Sequence, residues 1–321
     1  MMKARARRQR QRGAALLAAM VIVTLVATLA AAMVWQQWRA VQIEAAERSR
    51  AQAHWILTGA VDWARLILRE DARSGRPTSL GEPWSTPLAE AKLSTFLAID
   101  RDNTDDAPEA FLSGSITDMQ ARYNLRRVIE VAGQEAQDEE KVLARLLEFA
   151  GASGTQAPAI ARALRDASPA AAASAPTGDP PLMPERIEQL AWLGVDAETL
   201  KLISPYVTLL PINTAVNPNT ASKEVLAAVI DGLDLSGAER LVQARQRTPF
   251  RNVSEVSALL PQTARPDATR RLDVKSSFFE VRGRLRLQDR VTEERVLVER
   301  RQLEIIPLRR QRVAALDSVG P

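Results

Sequence analysis

The chain contains no cysteine and only one histidine, His54. Without thiols it can form neither disulfide bonds nor thiolate metal sites. A Cys–His pair is excluded, and a Ser–His–Asp triad would have to use His54. The sequence also has no glycine-rich phosphate-binding motif. These absences argue against an enzyme and leave a hydrolase that depends on His54 as the catalytic alternative.

Charge is missing from residues 13–35. An apolar run of about 20 residues is long enough to cross a bilayer as a helix. The twelve residues before Gly13 contain six basic side chains and no acidic one. Lys and Arg concentrate on the cytoplasmic side of a membrane span, so the sequence predicts a single span with a cytoplasmic amino terminus and an exported remainder.

The net charge of +4 has the same origin. Removing those six residues from the 43 basic residues leaves 37 against 39 acidic residues, which is almost neutral. The excess of basic residues therefore indicates membrane topology and not a nucleic-acid surface.

Helix-breaking residues are scarce in the first quarter of the chain. No proline occurs before Pro77, and Gly59 is the only glycine between Gly13 and Gly75. This composition predicts one helix from about Ala14 to Glu70, half in lipid and half packed on the exported domain. The expected packing stripe consists of Trp38, Val41, Ala45, Ile56, Ala60, Trp63 and Ile67.

Three interpretations fit residues 1–35. They are an uncleaved signal anchor, a secretory signal cleaved near Ala30–Ala32, and a prepilin-type leader cleaved after Gly13. A secretory signal ends in a polar, turn-prone region, whereas this run continues directly into more helix. Secretory cleavage is therefore disfavoured.

An acidic segment follows the prolines and glycines of residues 77–87. Oxygen-rich loops bind Ca²⁺, and the candidate ligands are Asp100, Asp102, Asp105, Asp106 and Glu109. The spacing of an EF-hand is broken at Thr104 and Asp105. A calcium site of another type and a solvated acidic loop both remain open. Residues 115–125, SITDMQARYNL, predict a strand that leads into a turn at Asn124.

The middle of the chain is predicted to be helical, with helices at 138–149, 159–166 and 197–203 and a mobile linker at 167–184. Residues 217–256 resemble a helix-hairpin-helix module. A DNA-binding hairpin uses closely spaced glycines to bring backbone amides to a phosphate. Here the turn 232–237 is longer, and Asp234 would repel a phosphate. The pattern therefore favours a protein-interaction module over DNA binding.

Alternating residues predict a strand at 277–288, with Phe279, Val281, Gly283, Leu285 and Leu287 on its buried side. A return strand at 292–306 would complete an antiparallel hairpin. We expect Glu293, Glu294 and Glu299 to pair with the arginines on the exposed face. The charged end from Arg309 onward should fray.

A basic leader that ends in Gly13, followed by an uninterrupted apolar helix, resembles the type IV pilin and pseudopilin families. The resemblance implies that a prepilin peptidase cuts between Gly13 and Ala14 and that Ala14 is then methylated. Most of these proteins have Glu at the fifth mature position, where this chain has Ala18. That replacement is typical of the K-type minor pseudopilins of type II secretion systems, and the residue 115–125 phrase resembles one in the same family.

The expected fold class is α+β: a pilin-like long N-terminal helix packed on a small antiparallel sheet, with an inserted all-helical, SAM-like or helix-hairpin-helix-like module. The expected division is a leader at 1–13, a transmembrane helix at 14–36, a first pilin-like segment at 37–135, the insertion at 136–270, the terminal hairpin at 271–308 and a flexible tail at 309–321.

The resemblance implies a subunit of the inner membrane, with a periplasmic domain, that caps the pseudopilus and helps to initiate it. The implied partners are the I-, J- and H-type minor pseudopilins, the major pseudopilin, the prepilin peptidase and the inner-membrane secretion platform, with calcium as a structural ion. The alternative is a membrane-anchored helix-hairpin-helix protein for DNA uptake, although no nucleic-acid partner is expected.

Overall fold

The long helix predicted from the missing prolines is present: α1 runs from Met2 to Arg73. The computed structural model describes residues 2–93, 109–169, 181–264, 270–287 and 290–314, with side chains from Ala14 onward. The chain divides into two compact units, residues 1–56 and residues 57–321. In the first unit, the apolar side chains of residues 14–35 are exposed, and the helix is long and apolar enough to cross a membrane.

In the second unit, the described strands form a five-stranded antiparallel sheet in the order β1-β2-β5-β6-β7. Its strands are β1 (Leu88–Lys92), β2 (Ala110–Asp118), β5 (Phe278–Leu287), β6 (Arg290–Arg301) and β7 (Glu304–Ala314). A short parallel pair, β3 (Tyr123–Asn124) and β4 (Val207–Thr208), lies in the helical layer. β2 and β5 are neighbours in the sheet, so the whole helical layer lies between two adjacent strands.

The last turns of α1 pack on one face of this sheet. The buried helix stripe is Leu57, Val61, Ala64 and Leu68. The predicted stripe was wrong by one position, because Trp63 is 49% exposed. Apolar residues three or four positions apart form two adjacent stripes on this helix. The stripe that contains Trp63 was predicted to be buried, but the one that contains Leu57 and Leu68 packs on the sheet. Its partners on the sheet include Phe279, Val281, Val296 and Val298, as the alternation in the sequence predicted.

Two glycines allow close approach in the sheet. Gly114 of β2 pairs with Gly283 of β5. A Cβ atom on Gly283 would lie 3.1 Å from Leu57 Cδ2, and one on Gly114 would lie 2.9 Å from the Arg282 carbonyl oxygen. Gly114 therefore allows the close pairing of β2 with β5, and Gly283 leaves room for Leu57 of the helix.

The C-terminal strands differ from the predicted hairpin. The predicted return strand is two strands, β6 and β7, joined by a tight turn in which Gln302 has a φ of 54°. β7 stays paired to Ala314, so the expectation that residues 309–314 fray was wrong. Arg310 and Arg312 of β7 lie 3.1 and 3.5 Å from the carboxylate oxygens of fully buried Glu294, which helps to hold this edge strand.

The three glutamates of β6 do not share one face. Glu293 binds Arg282 and Arg295 at 2.6 and 2.8 Å on the exposed face, as expected. Glu294 lies on the opposite side of β6 and is buried. Of these three glutamates, only Glu293 pairs with the arginine row of β5, because successive strand residues point to opposite faces. Glu90 of β1 also pairs with this row, at 2.7 Å from Arg286.

The helical layer has its own apolar core, which includes Leu143, Leu146, Leu226, Leu241 and Phe250. Its helices are α2 (Arg126–Glu130), α3 (Gly133–Phe149), α4 (Ala157–Asp166), α5 (Ala197–Ile203), α6 (Lys223–Val229), α7 (Leu235–Arg247) and α8 (Val253–Ala258). A 3₁₀ helix lies at Ile187–Leu193. The fold class predicted from the sequence is confirmed.

Candidate functional site

The helical layer leaves the sheet at Asp118, the last residue of β2, which pairs with Phe279 near the start of β5. The outgoing and returning segments of the layer therefore lie side by side. Polar side chains from four segments meet at this point and are buried. We call this group the joint, and its members are Thr78, Asp118, Asn217, Thr220 and Ser276.

Asp118 is the central acceptor of the joint. Its Oδ2 atom accepts hydrogen bonds from Ser276 Oγ at 2.6 Å, Thr220 Oγ1 at 2.7 Å and Asn217 Nδ2 at 3.2 Å. Its Oδ1 atom accepts the backbone N–H of Gln120 at 2.8 Å, which caps the 3₁₀ turn after β2. One carboxyl group thus links the sheet, the helical layer and the returning segment.

Asn217 extends these links to the loop that follows α1. Its amide also donates to the Thr78 carbonyl at 3.0 Å and to Ser276 Oγ at 2.9 Å. Its backbone N–H donates to the Gln120 carbonyl at 2.8 Å. Buried polar groups that are fully hydrogen-bonded fix the geometry between elements, because each broken bond would leave a desolvated group.

Burial raises the pKa of Asp118, and the hydrogen bonds from Ser276, Thr220, Gln120 and Asn217 oppose this shift. A raised pKa means that the folded protein holds the proton more tightly than the unfolded chain. The contribution to stability is therefore full below the ordinary pKa of 3.8 and declines as the pH rises through the raised pKa.

A second buried carboxylate lies inside the helical layer. Glu139 of α3 accepts hydrogen bonds from Arg127 Nε at 3.0 Å, Arg271 Nε at 2.9 Å and the Tyr123 hydroxyl at 2.8 Å. Burial and the Glu139 charge raise the pKa of Tyr123 well above its usual value of 10. We call these four residues the clamp. It ties the segment that enters the layer, at 123–127, to the segment that leaves it, at 271.

The phrase at 115–125 supplies Asp118 to the joint and Tyr123 to the clamp. Asp118, Gln120, Tyr123 and Asn124 are all buried. Asn124 accepts from the backbone N–H groups of Arg126 and Leu210 and donates to the Ile212 carbonyl. From the sequence, this phrase predicted a strand and a turn and resembled one in a known family, but it did not indicate these buried contacts. Several polar residues lie close together among apolar ones in this phrase, and that pattern could have indicated that they are buried and hydrogen-bonded.

The candidate calcium ligands are only partly covered by the structure. Asp100, Asp102, Asp105 and Asp106 lie outside the described residues. Glu109 precedes β2 and forms a 2.6 Å ion pair with Lys92, which lowers the pKa of Glu109. Among the residues that the structure describes, no three His, Asp or Glu side chains are grouped closely enough to hold a metal ion.

The predicted cleavage site lies within α1. Gly13 and Ala14 are both helical, and the cut between them stays a prediction. His54 is half-buried on the same helix, with its ring 5.7 Å from that of Trp55.

The hairpin between α6 and α7 lacks the open amides of a phosphate site. The Asp234 carboxylate accepts the Gly237 N–H at 2.7 Å and so occupies the start of α7. Arg245 donates to the carbonyls of Pro218 and Ala221, and burial lowers its pKa to about 10. Arg245 is thus a structural residue. Arg240 and Arg247 are exposed.

Comparison with known proteins gives the family. Residues 121–212 and 216–275 match two family profiles, both described as type II secretion system protein K. A type II secretion system protein K from Klebsiella pneumoniae is 31% identical over 79% of this chain and 80% of its own length. The chain belongs to the protein K family of type II secretion systems. It therefore has the role of a minor pseudopilin in type II secretion.

Other members of the protein K family match over more of the chain. The protein from Pectobacterium carotovorum is 29% identical over 91% of this chain and 93% of its own length. The one from Pseudomonas aeruginosa is 26% identical over 88% and 87%. A chain from the crystal structure of the GspK-GspI-GspJ complex of enterotoxigenic Escherichia coli shares the fold, with a TM-score of 0.65, 18% identity and coverage of 84% and 99%.

Proposed function

We propose that this minor pseudopilin caps the tip of the periplasmic pseudopilus and that its helical layer blocks the addition of a further subunit. The observation that carries this proposal is the mounting of the layer. A blocking element must keep its position under load, and the joint and the clamp fix both ends of the layer through buried carboxylates. Loosely tethered helices would not obstruct a growing filament in the same way.

The proposed partners follow from the resemblance and from the solved Escherichia coli complex, which contains I- and J-type proteins. We expect this chain to assemble with its own I- and J-type minor pseudopilins, and to meet the H-type and major pseudopilins below them. The basic arm before Gly13 supports an inner-membrane topology with a cytoplasmic amino terminus and a periplasmic carboxyl-terminal domain. Calcium binding stays a proposal that rests on the sequence of residues 100–109 alone.

The proposal includes maturation at Gly13. A cut on the cytoplasmic side would keep the apolar part of α1, and Ala18 would leave the mature helix without the usual carboxylate. Mass spectrometry of the membrane-extracted chain should find a methylated Ala14 terminus. An intact Met1, or a terminus at Met33, would contradict this maturation.

Capping is tested by locating the subunit on filaments. Gly151 lies in an exposed turn with a φ of 83°, which makes it a suitable site for a short peptide tag. Immunogold labelling of tagged filaments should place one cluster of gold at a single end. The same tag on a major pseudopilin serves as the control and should label the whole length. Gold along the shaft from the tagged chain would refute a tip position.

A further inference from the structure

Two carboxyl groups meet at the end of α1 without enough positive charge to balance them. Asp71 of α1 has a side chain that is 6% exposed, and Glu82, in the loop before β1, is 6% exposed as a residue. The two carboxyl groups are near enough for the charge of Asp71 to raise the pKa of Glu82. Arg300 of β6 binds Asp71 Oδ2 at 2.7 Å and is the cation that the described part of the chain pairs with Asp71. Two ionised carboxylates here would place two negative charges against one guanidinium in a buried site.

The hydrogen bonds of Glu82 and Asp71 leave one carboxylate oxygen without a donor. Glu82 Oε2 accepts from Trp84 Nε1 at 2.8 Å and from the Ser79 N–H at 3.2 Å. Asp71 Oδ1 is buried and has no hydrogen-bond donor among the described residues. A buried carboxylate oxygen without a donor is costly, because water no longer solvates it. A proton on the second oxygen of Glu82 would supply that donor and remove the repulsion at the same time.

We propose that Glu82 and Asp71 share one proton and form a pH-dependent latch that fastens the end of α1 to the Trp84 loop and to the joint. The pair is formed by one acid in its protonated state, which donates to the other in its ionised state. As the pH rises, the proton leaves to solvent and the latch opens. The inference does not depend on a tip position for the chain.

The latch reaches the joint through Arg300. The same guanidinium that binds Asp71 donates to Thr78 Oγ1 at 2.7 Å and to the Ser276 carbonyl at 2.6 Å. Thr78 and Ser276 are members of the joint, where Asp118 is the other buried acid. Ionised Glu82 would repel the Asp71 carboxylate, which binds Arg300, and so disturb the contacts that hold the helical layer. The helical layer should therefore be held more firmly at acidic pH.

The sign of this pH dependence follows from the shift in the pKa of Glu82. Burial, followed by the charge of Asp71 and the contact with it, raises the pKa of Glu82, although the bonds from Trp84 and Ser79 oppose the change. Stability from this group is complete below the ordinary pKa of 4.5 and is lost as the pH rises through the raised pKa. Within that window, one proton changes the folding equilibrium constant about tenfold per pH unit.

A glutamine at position 82 imitates the protonated acid. Its carbonyl oxygen can accept from Trp84 and Ser79, while its amide donates to Asp71 Oδ1. Denaturant unfolding of the full chain in detergent should show the wild type losing stability relative to Glu82→Gln as the pH rises above 4.5. The difference between the two curves isolates Glu82, because both chains contain Asp118. The matched control is Glu70→Gln on exposed α1, which should run parallel to the wild type.

A second measurement follows the Trp84 indole by NMR. The Trp84 indole N–H donates to Glu82, so its ¹⁵N-edited resonance should shift with pH at the raised pKa of Glu82 and stay fixed in Glu82→Gln. A Trp84 resonance that titrates near 4.5 would overturn the shared proton. So would a Glu82→Gln chain whose stability follows the wild type at every pH.

Discussion

At the scale of single residues, the helical layer depends on two buried carboxylates with different partners. Glu139 faces two arginines and a phenol. Asp118 is held by hydroxyl and amide donors, without a cation among its hydrogen-bond partners. A carboxylate among neutral donors is more easily neutralised than one between guanidinium groups. The joint is therefore the part of this mounting that responds to pH, whereas the clamp is held by charge.

Removing the Asp118 carboxylate should loosen the joint. Asp118→Ala leaves the buried donors of Ser276, Thr220 and Asn217 without an acceptor, and we expect a loss of roughly 2–4 kcal/mol of unfolding free energy. Denaturant unfolding of the full chain measures this loss. Asp62→Ala is the control, because its pair with Arg65 is exposed and contributes at most about 1 kcal/mol. Equal effects of the two substitutions would show that the joint contributes little.

The sequence predicted the elements around these residues better than the residues' roles. The phrase at 115–125 was recognised, yet the structure was needed to show that Asp118 meets Ser276, which lies 158 positions away. Local patterns carry no information on such distant contacts. The acids that the sequence analysis selected for chemistry were those of the 100–109 segment, because clustering in sequence is visible and clustering in space is not.

At the scale of elements, the contact between α1 and the sheet is set by small residues. The alternation of β5 predicted its buried face correctly, since strand periodicity depends only on neighbouring residues. The helix stripe was predicted one position away, because an aromatic residue at position 63 and an aliphatic one at position 64 neighbour each other in a helix with apolar residues on two sides. Only the sheet decides which stripe is buried.

The Gly114–Gly283 row gives a test at this scale. A methyl group on Gly114 would lie 2.9 Å from a backbone carbonyl, which cannot move without disturbing the β2–β5 ladder. We expect Gly114→Ala to reduce the unfolding free energy by about 1–3 kcal/mol. In the matched variant Gly59→Ala, the new methyl group meets nothing within 4 Å, and the higher helix propensity should stabilise α1 by up to about 1 kcal/mol. Thermal unfolding of both variants should thus shift in opposite directions.

At the scale of the second unit, a helical layer is mounted between two adjacent strands of a complete sheet. Every strand of the sheet can keep its neighbours without the layer, because Asp118 and Phe279 are already paired across β2 and β5. The sequence predicted this arrangement from the order of its elements, with helical patterns between an early strand and a terminal hairpin. It missed β1, which is short, irregularly paired and poor in β-branched residues.

The layer should therefore be removable. Replacing residues 119–278 by Asn-Gly joins β2 to β5 as a tight hairpin, and Leu297→Thr removes the apolar residue that the layer covered. We expect the shortened chain to keep Trp84 buried against Phe279, whose rings lie 5.3 Å apart. Tryptophan fluorescence and cooperative unfolding measure this. If the shortened chain assembles, its filaments should grow longer, because the layer no longer blocks the addition of subunits. A solvent-exposed Trp84 would instead show that the sheet needs the layer in order to fold.

The adjacency of β2 and β5 also sets an order of events during synthesis. About 160 residues separate Asp118 from Phe279, its partner in the ladder. At roughly 5–20 residues per second, a ribosome needs on the order of 8–30 seconds to make that stretch. During this delay β2 has no partner on its inner edge, while the helical layer already has most of its own core. The layer can therefore fold on the nascent chain first, and the sheet closes last around strands that arrive at the end of translation.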